Sequence, residues 1–316
     1  MEGVFDHLTR ELLCSLGGYD QCVTEFVRVT SQLIPPKVFY RYSPELKNNG
    51  QTTSGVPVYI QLLGGNPTPM AENAQIACEL GAPGVDINFG CPAKTVNRHD
   101  GGATLLKKPE RLFNIISAIR KAVPNHIPVT SKVRLGFEDK ILCRDIAQAS
   151  GDGGAARLTV HARTKKEGYK PPAHWEYIAR MKDSTHIPVI ANGDIWTYAD
   201  YLECKSRSEC VHIALGRPAF ARPDLANIIR ASIEEKDYSP LTGIEVIKNI
   251  LIPFGIRYMN THEERHAVNR TKQWLKYLGQ SYPLFPELFN QLKRLKSLKE
   301  IHSGLLNFCR TGSVPE

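Results

Sequence analysis

No apolar run in the 316-residue chain reaches the ~18–20 positions needed to cross a bilayer. The opening "MEGVFDHLTRELL" lacks a basic stretch followed by an apolar core and a small-residue cleavage site. No signal peptide is read, and a cytoplasmic location with no membrane attachment is expected. The eight cysteines (14, 22, 78, 91, 143, 204, 210, 309) contain no C-x-x-C pair. Their scatter argues against a zinc site or a disulfide framework, so reduced thiols and no metal are expected. "CKSRSEC", Cys204 to Cys210, reads as surface variation. The Gly-rich first turn of a doubly wound nucleotide-binding sheet is also missing. Acidic residues run short towards the C-terminus. From Gly243 onward there are eleven Lys/Arg, six Glu and no Asp, so +5 of the formal +8 lies in under a quarter of the chain. Such asymmetry marks a separate module with its own partner, and a positive one suits a polyanion.

What is present is a repeating pattern. Apolar and β-branched runs recur at roughly 30-residue spacing, the length of a βαβ unit. They are "DQCVTEF", "VPVYIQLLG", "GVDINFG", "PVTSKVRLG", "ARLTVHART", "IPVIANGD" and "VHIALGR". Segments between them, such as "NPTPMAENAQIACELGA", "PERLFNIISAIRKAV" and "WEYIARMKD", read as helices. The alternation predicts right-handed βαβ units and a parallel sheet. Seven strands is one short of a (β/α)8 TIM barrel. Met1-Glu2-Gly3 reads like residues just after a strand, so the first strand is expected to be truncated. After Asp224 the strand signals stop, and Gly243 to Asn307 is expected to be helical, broken at Pro253, Gly279, Pro283 and Pro286. The expected fold is therefore α/β, a TIM barrel over 1–235 with a C-terminal all-helical domain over 243–310.

In such a barrel, functional groups stand where strands end at the C-terminal face. Gln61 ends the third strand. Asn88 and Cys91 end the fourth. The fifth carries Lys132 and Arg134, the sixth His161 and Arg163; residues two apart share a face. Paired charges on buried strands are costly unless they meet an anionic ligand in the barrel mouth. The plainer reading pairs Arg134 with an acid of the next loop. "NGD" (Asn192–Asp194) and "GRP" (Gly216–Pro218) end the last two strands, where these barrels commonly hold a phosphate. A lysine near the pyrimidine edge of a flavin would stabilise the negative charge of the reduced ring.

Cys91 follows Gly90 and precedes Pro92, which ends strand pairing there. It reads either as a small corner residue or as a reagent. A free thiol, with a pKa near ~8.5, is mostly protonated at pH 7 and suits proton donation. A nucleophilic role would want a histidine base, and His99 in "NRHDGGAT" leaves that open.

"MEGV", "TEFV", "QLLG", "DINFGCP", "SKVRLG", "TVHART", "IPVIANGDI" and "ALGR" stand in this order. The chain resembles the tRNA-dihydrouridine synthases over about 300 residues, most specifically in the N-x-G-C-P block. "TEFVRVT" and "NRTKQWLKYL" look most like the bacterial C-type branch, which acts on position 16 of the tRNA D-loop. The resemblance implies an enzyme that reduces that uridine to 5,6-dihydrouridine with FMN and NADPH. Hydride passes from flavin N5 to C6, and a cysteine matched by Cys91 protonates C5. It implies flavin contacts at Met1, Glu2, Gly3, Gln61, Lys132, His161, Asn192, Gly193, Asp194, Gly216 and Arg217. Asn88 and Arg134 match contacts to the target nucleotide, and Arg28 a tRNA contact. Pro218 and Ala162 stand where the family commonly has glycine.

The target base must leave its stack to lie on a flavin, so the enzyme must grip RNA outside the pocket. In "THEERHAVNRTKQWLKYL", Arg265, Lys272 and Lys276 fall on one helical stripe, opposite Val268, Thr271, Trp274, Leu275 and Leu278. With Arg270 and Gln273 they form a candidate tRNA face on a monomeric protein; Trp274 is expected in the core. Two rivals stand beside this reading. Another FMN barrel, such as a dihydroorotate dehydrogenase, leaves the basic helical module unexplained. A catalytically inactive RNA-binding barrel would be colourless when purified.

Overall fold

The computed structural model describes residues 3–311. They fall into two compact units, one of 3–7 and 19–215, the other of 8–18 and 216–311.

The first unit is built on a parallel sheet. Its strands are β1 (Cys22–Val23), β2 (Val27–Arg28), β3 (Val58–Leu63), β4 (Val85–Asn88), β5 (Val129–Arg134), β6 (Arg157–His161), β7 (Val189–Asn192) and β8 (Ile213–Ala214). Pairing runs in sequence order from β3 to β8. β1 and β2 both pair with β3, against Val58–Tyr59 and Leu62–Leu63. "DQCVTEF" is expected as one strand; the strand is instead interrupted, with β1 inside that segment and β2 directly after it. The sheet has seven strand positions, as expected, and among the described residues no pairing joins β8 to β1.

The strands are not uniformly apolar. One face carries Val58, Ile60, Leu62, Val85, Ile87, Val129, Val133, Leu158 and Val160, all with no exposed surface. The alternate positions carry Gln61, Asp86, Asn88, Thr130, Lys132, Arg134, Arg157, Thr159, His161 and Asn192. The apolar face is covered by the helices Pro67–Glu79, Pro109–Ala122, Cys143–Asp152, Trp175–Lys182 and Tyr198–Ser208, which follow β3 to β7 in turn. Their apolar residues recur three or four apart, as in Met70, Ala74 and Ala77, or Leu112, Ile115, Ile116 and Ile119. Each such large side chain contributes ~1.5–3 kcal/mol on burial. Helix starts are marked locally: Asn66 Oδ1 accepts from Thr68 N–H at 3.2 Å with Pro67 next in line, and Thr197 and Asp200 form a reciprocal capping box.

The second unit is helical. One helix runs from Gly243 to Met259. Pro253 does not break it, contrary to expectation. A π-helical turn at Ile247–Leu251 precedes it, and the wider turn absorbs the missing proline N–H and its ring. The helices Glu264–Leu278, Phe285–Leu292 and Leu298–Thr311 follow, with breaks at Gly279 and Pro283 where expected. Pro286 instead stands in the first turn of its helix, where a missing N–H costs no helical bond, and does not break it. Trp274 is wholly buried in this unit. It stacks on Phe220 at 4.4 Å, meets Phe254 edge-on at 4.5 Å, and donates its indole N–H to the Phe220 carbonyl at 2.8 Å.

Candidate active site

The polar face of the sheet forms hydrogen-bonded clusters inside the first unit. Gln61 Nε2 donates to Asp86 Oδ2 at 2.7 Å, and Thr130 Oγ1 to Asp86 Oδ1 at 2.6 Å. Asn88 Nδ2 donates to Gln61 Oε1 at 2.9 Å. Asn88 Oδ1 accepts the Gly90 N–H at 3.0 Å, shaping the turn before Cys91. Lys132 Nζ donates to Asn192 Oδ1 at 2.7 Å, and Asn192 Nδ2 in turn to the Ala214 carbonyl at 2.7 Å. Burial pushes the Lys132 ammonium down to about 8, with Arg134 adding and Asp86 opposing.

Arg134 is 3% exposed. It is satisfied by the carbonyls of Gly90 (2.9 Å), Thr164 (3.1 Å) and Gly168 (2.9 Å), and its guanidinium lies 5.1 Å from the centre of the Tyr169 ring. Its partners are carbonyls and an aromatic face, where an acid of the next loop was the plainer expectation. The acid pairing is found at Arg163, whose guanidinium bonds to Asp194 and, at 3.2 Å, to the Pro172 carbonyl.

Cys91 is half-buried on the loop after β4. Its carbonyl accepts from Ala103 N–H (3.1 Å) and Asn97 Nδ2 (3.0 Å). Gly102 closes this loop at φ 61°, where an added Cβ would stand 2.9 Å from the Cys91 carbonyl oxygen. The far end is latched: Arg111 grips both oxygens of Asp100, at 2.6 and 2.7 Å, and the Gly65 carbonyl at 2.9 Å. His99 is exposed at the end of the short helix Lys94–Arg98.

The first unit thus brings Gln61 and Asn88 into one hydrogen-bonded cluster and Lys132 and Asn192 into a second on the same sheet face, with Arg134 bonded to the Gly90 carbonyl just before Cys91. His161 faces Arg134 in register across β5 and β6 and meets Tyr169 edge-on at 5.9 Å. Gly193 has φ 121°, and a Cβ there would come within 3.3 Å of His161; its carbonyl accepts the Trp175 indole N–H at 2.9 Å. Gly3 occupies a turn at φ 71°, and Arg28 is exposed at the end of β2. Met1 and Glu2 lie outside the described residues. Gly216 and Arg217 belong to the second unit, where Gly216 precedes the short helix Arg217–Ala221. Asp86, Thr130 and Tyr169 escaped the sequence reading. The signal for the first two was available, since polar residues alternate with aliphatic ones along "VYIQLL", "VDIN" and "VTSKVR".

On the helix Glu264–Leu278 the buried stripe is Val268, Thr271, Trp274, Leu275 and Leu278, as expected. Arg265 and Lys276 are exposed. Lys272 is not part of a free ridge: it is half-buried, bonds to the Leu295 carbonyl, and burial pushes its ammonium down. Arg270 bonds to Gln273, to Tyr258 Oη at 3.0 Å and to Thr9 Oγ1 at 3.3 Å.

These clusters on a parallel (β/α) sheet can be set beside known proteins. The family model described as Dihydrouridine synthase (Dus) matches residues 1–303. The chain belongs to the dihydrouridine synthase family. Curated relatives include a protein of Pseudomonas putida, 49% identical over 294 residues (93% of this chain and 91% of that one), and one of Cupriavidus necator, 45% identical over 318 residues (100% and 98%). Both are named tRNA-dihydrouridine(16) synthase. The fold is shared more widely. A variant of NCR from Zymomonas mobilis matches with TM-score 0.51 at 15% identity, over 73% of this chain and 80% of that one. DHODH from Eimeria tenella, solved in complex with ferulenol, matches with TM-score 0.52 at 14% identity, over 70% and 75%. Family membership makes the chain an oxidoreductase that uses a flavin. Among the described residues, no helix is long and apolar enough to cross a membrane, and no group of His, Cys, Asp and Glu is arranged to hold a metal ion.

The dihydrouridine synthase site suits a flavin on its own chemistry. It offers a cation at Lys132, amides at Gln61 and Asn88, and a strand-end glycine in a conformation that other residues rarely adopt. Arg163 Nη1 is buried and has no hydrogen-bond partner among the described residues, leaving a guanidinium donor beside Asp194.

Proposed function

We propose that this protein reduces uridine 16 of tRNA to 5,6-dihydrouridine, with FMN as its flavin, NADPH as reductant and Cys91 as proton donor. The observation that carries the reading is Cys91 on the loop closing β4, one turn from Asn88 and from the Arg134–Gly90 bond. Support for the substrate comes from the shared name of the relatives that match nearly the whole chain.

In this reading the flavin is held by Met1, Glu2, Gly3, Gln61, Lys132, His161, Asn192, Gly193, Asp194, Gly216 and Arg217. When bound, it supplies the hydride that uracil C6 receives. Cys91 Sγ–H gives its proton to C5 and takes one back from solvent. Lys132 places a positive charge where the ring's pyrimidine edge becomes electron-rich. Asn88 and Arg134 orient the target uracil. Arg28, Arg265 and Lys276 contact tRNA directly, while Arg270, Lys272 and Gln273 shape the helix that presents them. Residues 1–235 form the FMN-binding catalytic domain and 243–310 the tRNA-binding domain of a cytoplasmic monomer.

The test is to map dihydrouridine in tRNA from a strain lacking the gene. Loss at position 16, restored by the wild-type gene, is the expected result; loss at another position refutes the site assignment. A purified protein that is colourless yet binds tRNA would overturn the enzymatic reading.

The Lys132 ammonium gives a pH prediction. It is charged below about 8 and neutral above, so flavin affinity of the apoprotein, followed by fluorescence quenching, should fall as pH rises through 8. Lys132→Arg, which stays charged, should remove that inflection. The sign for stability is opposite. An unfolded lysine titrates near ~10.4, so between about 8 and ~10.4 the unfolded chain binds more protons and this group's contribution to stability rises with pH.

A further inference from the structure

Gln61, Asp86 and Thr130 are register partners on β3, β4 and β5. They form one polar row across the sheet, one step below the row that holds Asn88 and Lys132. Asp86 is 3% exposed, and both of its oxygens are engaged. Burial pushes its carboxyl up; Thr130, Gln61, Lys132 and Arg157 all act against that rise and favour the ionised form.

Both oxygens of Asp86 are used as acceptors, Oδ2 by Gln61 Nε2 and Oδ1 by Thr130 Oγ1. Asp86 therefore fixes which way Gln61 points: the amide NH2 turns to Asp86, and Oε1 turns to Asn88. Asn88 then has its own amide fixed, with Nδ2 given to Gln61 and Oδ1 left to accept the Gly90 N–H. Gly90 is joined to Cys91, and its carbonyl takes Nε of Arg134. Every donor in this chain points towards the carboxylate. Reversing one amide would place two donors, or two acceptors, face to face at Gln61, Asn88 or Gly90.

We propose that Asp86 is a positioning residue for the reaction: through Gln61 and Asn88 it sets the turn that carries Cys91 and the amide that meets the target uracil. The proposal rests on the reading of Cys91 as proton donor. Asp86 touches neither substrate nor cofactor and acts through the two amides.

Asp86→Asn preserves shape but turns one of the two acceptor oxygens into a donor. In flavin-loaded protein it should lower single-turnover kcat by roughly 10–100-fold, the scale of a misplaced reacting group. The tRNA Kd should stay within about twofold, since the phosphate-contacting groups are untouched. In the flavin-free protein, the iodoacetamide alkylation rate of the Cys91 peptide, read by mass spectrometry, should change at least about threefold as the turn loosens. The double variant Asp86→Asn/Asn88→Ala should be no slower than Asn88→Ala alone, because both act through one path. Thr130→Val removes one donor from Asp86 and should shift the same readouts less, which keeps the test open if Asp86→Asn does not fold. Folded variants with wild-type kcat and alkylation rate, or additive losses in the double variant, would overturn the proposal. Cys91→Ala run in parallel separates the two ideas: if it keeps full turnover, the proton-donor reading has failed, whatever Asp86 does.

Discussion

Cys91→Ala should keep flavin colour and tRNA affinity and lose turnover by roughly 10²–10⁴-fold, the range associated with removing a general acid. The expectation follows from how the residue is held. Its carbonyl is tied to Ala103 and Asn97, and the preceding residue to Asn88 and Arg134. These are main-chain bonds that an alanine makes equally well. The substitution therefore removes Sγ and little else, and the loop keeps its course. Stopped-flow reoxidation of the reduced enzyme by tRNA reads the step directly. Turnover within about twofold of wild type would remove the proton-donor role, since no general acid contributes so little.

The second large effect is expected at the helix Glu264–Leu278. Arg265→Glu with Lys276→Glu should weaken tRNA binding on the order of 10–100-fold at 0.1 M salt. Neutralising both to Ala should flatten the dependence of log K on log salt by roughly 1.5–2, close to one released counterion per lost phosphate contact. Both side chains are exposed on the face opposite Trp274, so the fold has no stake in their charge. Lys272 is the informative contrast. Its ammonium holds the Leu295 carbonyl, so Lys272→Met should lower Tm more than it changes the salt slope. Unchanged affinity and slope in the Arg265/Lys276 variants would remove this helix from the RNA-binding surface.

That contrast shows where sequence reading reaches and where it stops. The buried stripe of the helix was legible because i, i+3 and i+4 spacing is fixed by helix geometry alone. The fate of Lys272 was not, because its partner is the main chain 23 residues away and no side-chain pattern marks a carbonyl. The same holds at the site. Strand ends were legible from Gly90, Gly193 and the flanking aliphatic runs, and they placed Lys132 and Asn192 on the sheet and Cys91 on the loop after β4. Arg134 and Arg163 looked alike in sequence, one two residues beyond Lys132 and the other two beyond His161. The first bonds three carbonyls and the second Asp194 and the Pro172 carbonyl, a division set by loop courses that local patterns do not encode. Pro253 shows the same limit: its effect on the helix depends on the π turn before it. Asp86 was overlooked for a different reason. A lone acid in "GVDINFG" reads as an interruption of an apolar strand until the alternation in β3 and β5 is laid beside it.

The alternation has a bearing on how such a protein can change over time. Methyl groups that hold the first unit together stand on one side of each strand, against the helices, while the polar groups of the candidate site stand on the other. Two neighbouring codons thus answer to different demands, one to persistence of the fold and one to chemistry. Substitutions on the inner positions can alter what the barrel accepts without thinning the aliphatic shell, and a lineage can explore new substrates from a scaffold that stays folded while it does so.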